Sequence, residues 1–72
     1  MYRYRMDSRH PMGDEWVPQL YTQDETDGRA EAEGFMLHHP EYGCRLVRLF
    51  GDGHYAELIE RVPVSPYSFQ GL

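Results

Sequence analysis

Seventy-two residues, 40% apolar and 26% charged, with a formal net charge of −5, leave room for one small domain and none for a second. No apolar run approaches the roughly 18 residues of a membrane-spanning helix, and Met1 to Arg9 brings arginines without the hydrophobic stretch of a secretory leader, so the chain reads as cytoplasmic with no membrane partner. The lone Cys44 excludes an intramolecular disulfide, and much of the thin core expected at this length must come from six tyrosines, three phenylalanines and one tryptophan.

In chain order, Tyr2, Tyr4 and Met6 alternate with Arg3, Arg5 and Asp7, the period-two pattern of a half-buried strand. Ser8 to Asp14, with Pro11 and Gly13, reads as a loop. Glu15 to Thr22 reads as a second strand, hairpinned to the first, with Pro18 marking an edge or a bulge. Asp24 to His39 is the one helix, stopped by Pro40 and Gly43. Thr22 with Glu25 has capping-box spacing, while Thr26 or Asp27 could cap a shorter helix. Steps of 100° place Ala32, Phe35, Met36 and His39 on one stripe and Ala30, Gly34 and Leu37 on another. Either one stripe packs on the sheet and the other is scattered surface apolarity, or the second is offered to a partner.

Cys44 to Phe50 reads as a strand with apolar residues on both faces, Gly51-Asp52-Gly53 as a hairpin turn, and His54 to Val62 as the returning strand. The expected fold class is therefore α+β: a single domain over residues 1–63, strand-strand-helix-strand-strand, a mainly antiparallel sheet with one helix on one face. Residues 64–72 read as a C-terminal tail, with Tyr67 and Phe69 able to pin it.

The residues that could carry chemistry point away from catalysis. His10, His38, His39, Cys44 and His54 are competent metal ligands, but adjacent helical histidines diverge by about 100° and no ligand motif connects the others, so no metal or cofactor is expected. Cys44 opens a strand, where a small buried hydrophobe is the ordinary role, and Ser8, Ser65 and Ser68 lie in loop or tail. The carboxylate pairs Asp14/Glu15, Asp24/Glu25 and Glu31/Glu33 fall in segments that read as exposed, without the desolvation acid-base catalysis needs. No enzymatic activity is expected.

Charge is divided unevenly. Residues 14–41 hold eight acids against Arg29 alone, while residues 1–13 carry Arg3, Arg5 and Arg9 against Asp7. An acidic middle argues against direct binding to a phosphate backbone. Asp24, Asp27 and Glu31 share one helical face, which is either a solubilising surface or a mimic of the spaced charges a basic groove accepts. With Trp16, Tyr21 and Leu37 as apolar anchors, these residues form the candidate partner-binding set. The competing expectation is a small self-associating protein, a homodimer formed through a strand edge or the second helical stripe. A histidine-based metal-binding accessory domain is a further alternative.

Trp16-Val17-Pro18-Gln19-Leu20-Tyr21, Arg29-Ala30-Glu31-Ala32-Glu33, His39-Pro40-Glu41-Tyr42-Gly43 and Leu46-Val47-Arg48 follow one another in a layout that resembles phage-encoded inhibitors of host RNA polymerase. Small α+β chains of similar kind occur among anti-CRISPR proteins. The likeness spans less than half of the chain, which departs from the polymerase inhibitors in its fourth strand and tail. It implies a non-enzymatic protein that blocks a host protein or ribonucleoprotein machine, in the host cytoplasm, by occupying a surface.

Overall fold

The computed structural model describes residues 2–61, so the expected tail, residues 64–72, lies outside the described residues. Four strands and one helix follow the expected order: β1 (Tyr4–Arg9), β2 (Val17–Thr22), α1 (Glu25–His38), β3 (Gly43–Leu49) and β4 (Tyr55–Arg61). The sheet order is β2-β1-β3-β4 with every pair antiparallel, which confirms the α+β layout and makes the first strand central. Because β2 and β3 both run opposite to β1, they are parallel to each other, and α1 makes the crossover such a connection needs.

β1 lies two residues further along than the alternation suggests. Ser8 and Arg9 pair with Cys44 and Gly43 across the sheet, and the turn begins only at His10, whose carbonyl accepts from Gly13 N at 2.9 Å. Two bulges adjust the register. Gln19 is the extra residue between the Leu20–Met6 and Pro18–Asp7 pairs, and Leu58 the extra one between Ile59–Leu46 and Glu57–Val47. Pro18 thus sits on an edge strand beside a bulge, where a missing N–H is tolerated. The β3–β4 hairpin turns at Gly51-Asp52-Gly53, and Gly53 takes the positive φ of 89° that favours glycine.

The helix is capped by Asp24, not by Thr22, Thr26 or Asp27. Its Oδ1 accepts from Thr26 N at 2.8 Å and Asp27 N at 3.4 Å, while the Thr22 hydroxyl accepts from Asp24 N and steadies the cap. Arg29 pairs with Glu25 one turn earlier. At the other end Arg61 of β4 donates to the carbonyl of Met36, in the helix's last turn, and to those of His39 and Tyr42 just beyond it.

Of the two stripes, the one with Ala32, Phe35 and Met36 packs on the sheet, against Tyr4, Met6, Cys44 and Leu46; His39, at its end, stays exposed. Gly28 allows the close approach: a Cβ there would stand 3.0 Å from Leu46 Cδ1. Cys44 is fully buried and points its thiol at the Ala32 carbonyl, so it behaves as the small core residue its sequence position suggests.

Candidate functional site

The helix lies over β3 and β1 more than over β2, and this offset leaves a trough along its β2 side. Two adjoining hollows of about 430 and 270 Å³ share Ala30 and Glu31 and run from Asp27 to His38 and His39. The floor is Met6 and Leu20; Ala30 and Gly34, one turn apart, keep the helix wall low. Asp27 and Glu31 stand on this wall, while Tyr21 and Thr22 line the β2 side. Among the described residues no arginine lines either hollow, so the fixed charge along the trough is negative.

Of the six candidate residues, the trough gathers Asp27 and Glu31; Tyr21 borders it, but it pairs with Arg5 across the sheet, so its ring projects to the face opposite the helix. Asp24 sits at the head of the same helix, with its carboxylate committed to the cap. Leu37, 78% exposed, points to solvent away from both the core and the trough, so the second stripe divides: Ala30 and Gly34 line the hollow and Leu37 does not. Trp16 is separated from Asp27 and Glu31 by the thickness of the sheet. Side chains alternate along a strand, and Trp16 covers Arg45, on the face opposite the helix.

That opposite face holds a charged cluster the sequence concealed. Asp7, fully buried, accepts from Arg5 Nε at 2.7 Å and Nη2 at 3.0 Å and from Arg45 Nε at 2.7 Å. Aromatic rings alternate with the guanidinium groups: Arg9 lies 5.9 Å from Trp16, Trp16 4.7 Å from Arg45, Arg45 5.0 Å from Tyr55, and Tyr55 5.7 Å from Arg5. Burial alone would make Arg45 easier to deprotonate, but the Asp7 carboxylate and the Tyr55 hydroxyl more than offset it and hold the guanidinium charged. The ladder also reaches Glu57, whose Oε1 lies 3.7 Å from Arg45 Nη1, and the Gly13 carbonyl, which accepts from Arg9 Nε at 3.1 Å. It supplies rigidity to the sheet, and it uses Trp16 internally.

The Leu58 bulge also turns Glu57 and Glu60 to one face, where a hydrogen bond that the protonated Glu60 donates to Glu57 is the main cause that raises the Glu60 carboxyl above its usual range. The histidines are dispersed. His39 packs its ring on Phe35 at 4.7 Å and Tyr42 at 5.6 Å, His10 meets Tyr42 at 5.3 Å, and His54 lies beside Asp52 at the hairpin turn. Among the described residues no three histidine, cysteine or carboxylate side chains gather as a metal site would require. Ser8 is buried opposite Cys44 and its hydroxyl accepts from Gln19 Nε2 at 2.8 Å, with no histidine among its bonded partners. Burial raises the Cys44 thiol, an effect Arg61 reduces and Asp7 adds to, which disfavours the reactive thiolate. Among the described residues no helix is long and apolar enough to cross a membrane.

Comparison of the chain with protein-family models, with curated proteins and with solved structures finds no match. The fold defines a small single-sheet α+β domain, and every assignment of a role to its surfaces rests on its own residues.

Proposed function

We propose that the chain is a non-enzymatic binding domain of the phage-inhibitor kind, and that it docks on a bacterial nucleic-acid machine, a CRISPR effector or RNA polymerase, through the α1–β2 trough. The observation that carries this proposal is the pairing of an apolar floor, Met6 and Leu20, with a wall whose ionised side chains are Asp27 and Glu31. Such a surface suits a partner segment that seats an apolar side chain between arginines or lysines, the kind of residue that lines a nucleic-acid channel. Long-range attraction from the acidic helix would speed encounter, and contact on the floor would slow release.

The test uses purified effector and polymerase, each assayed for its own activity with the wild-type domain and with Asp27→Lys/Glu31→Lys. Inhibition of one machine by a stoichiometric complex, weakened at least about tenfold by the double reversal and by raised salt, is the expected result. Failure to bind either machine, or inhibition indifferent to the reversal, rejects the proposal. Sedimentation of the domain alone tests the competing self-association: a species of twice the monomer mass would favour it.

A further inference from the structure

At the end of the sheet the N-terminal segment and the β3–β4 hairpin flank an open cleft of about 460 Å³. This volume is within the range of small-molecule sites, roughly 300–1,000 Å³. Its lining includes Arg3, Arg48, Tyr2, Phe50 and Gln23, and among the described residues contains no carboxylate, in a chain whose net charge is −5. Among the described residues neither arginine forms an ion pair, whereas Arg5, Arg29 and Arg45 each do. The acids nearest in sequence are already engaged. Asp24 caps the helix, and Asp52 accepts from the His54 backbone at 3.0 Å and faces the His54 ring.

The cleft is held on both sides. Arg3 N donates to the Thr22 carbonyl at 3.2 Å and the Arg3 carbonyl accepts from Leu49 N at 2.7 Å, which fixes the segment between β2 and β3. The Arg48 guanidinium lies 5.7 Å from the Phe50 ring, and Tyr2 rests on Tyr21 at 5.8 Å. Tyr2 and Phe50 are nevertheless 54% and 44% exposed, large aromatic surfaces in the lining they share with two guanidinium groups that form no ion pair among the described residues.

We propose that this cleft binds a phosphate joined to a planar ring, the chemistry of one nucleotide unit, either free or as the terminal nucleotide of a single strand. Planar guanidinium forks bind phosphate oxygens in pairs, and an exposed aromatic ring accepts a base of any identity by stacking. Direct phosphate-backbone binding by the acidic middle of the chain remains disfavoured; the cleft takes one phosphate, at the opposite end of the charge distribution. The cleft and the trough share no lining residue, so either can fail without the other.

The experiment titrates the full ¹⁵N-labelled chain with adenosine monophosphate, inorganic phosphate, and a 5′-phosphorylated single-stranded trinucleotide, following amide shifts. Saturable shifts centred on Arg3, Gln23, Arg48 and Gly51 are expected, with adenosine monophosphate binding more tightly than phosphate. Arg3→Ala and Arg48→Ala each weaken binding at least about tenfold, and Arg48→Lys, which keeps charge without the fork, weakens it less. Phe50→Ala weakens the nucleotide at least about fivefold and leaves phosphate unchanged. A trinucleotide bound more tightly than the monophosphate assigns a strand end; the reverse assigns the free nucleotide. Absence of saturable shifts, arginine variants that titrate as wild type, or a nucleotide no tighter than phosphate overturns the proposal.

Discussion

Replacing Gly28 and Gly34 by alanine adds the same methyl group to the same helix, yet the two substitutions move stability in different directions. Each removes the conformational freedom that makes helical glycine worse than alanine by about 0.8–1 kcal/mol. At Gly34 nothing lies within 4 Å of the new Cβ, so the gain is realised in full. In a domain of this size that raises the melting temperature by about 4–8 °C per kcal/mol. At Gly28 the Cβ would meet Leu46 Cδ1 at 3.0 Å, Thr22 Cγ2 at 3.3 Å and Leu46 Cδ2 at 3.4 Å. Leu46 is fully buried and held by strands on both sides, so it has little room to retreat, and overpacking of this kind costs about 1–3 kcal/mol. Since the propensity gain is common to both variants, the difference between them isolates the steric cost: about 1–3 kcal/mol in favour of Gly34→Ala. Urea denaturation with equal m-values measures it. Two variants of equal stability would refute the seating of α1 on Leu46 through Gly28, and with it the offset that opens the trough.

Asp7→Asn leaves the buried Arg45 with only the more exposed Glu57 carboxylate, 3.7 Å away, a loss of up to about 3–5 kcal/mol, enough to unfold much of a small domain at room temperature; circular dichroism and urea titration show it, and a native-like melt would contradict the buried pairing. Cys44 gives a pH dependence of defined sign. Its folded thiol is held above the ordinary value of 9.0, so the stability linked to it is present below that value and is lost as pH rises past it and the unfolded chain ionises. Wild type compared with Cys44→Ala between pH 7 and about 10 therefore shows a shrinking stability difference, and a difference flat with pH would contradict it. Native Cys44 also reacts with iodoacetamide only as fast as the fold opens, far slower than in denaturant; equal rates would mean that the thiol is accessible.

The elements were legible because their signals are local. The Tyr4–Met6 alternation, the Gly51-Asp52-Gly53 turn and the 100° spacing of Ala32, Phe35 and Met36 each depend on neighbours a few residues away. Asp7 was not legible as a buried residue, since a carboxylate at the polar phase of a strand reads as solvent-facing. Its partner Arg45 is 38 positions distant, and only the β1–β3 register brings them together. Trp16 reads as an exposed anchor for the same reason: the cation it covers arrives from another strand. Glu57 and Glu60 would point to opposite faces of a regular strand, and the Leu58 bulge that unites them leaves no mark in the pattern. The acidic side of the trough was visible as Asp27 and Glu31 one turn apart, but its depth comes from where the helix sits over the sheet.

The most direct test of docking in the trough is an amide footprint of the ¹⁵N-labelled domain bound to whichever machine it inhibits. Perturbation of Leu20, Asp27, Ala30, Glu31 and Gly34, with Trp16, Arg45 and Tyr55 undisturbed, is the predicted result. A footprint on the Trp16–Arg45–Tyr55 face with the trough unchanged would contradict it.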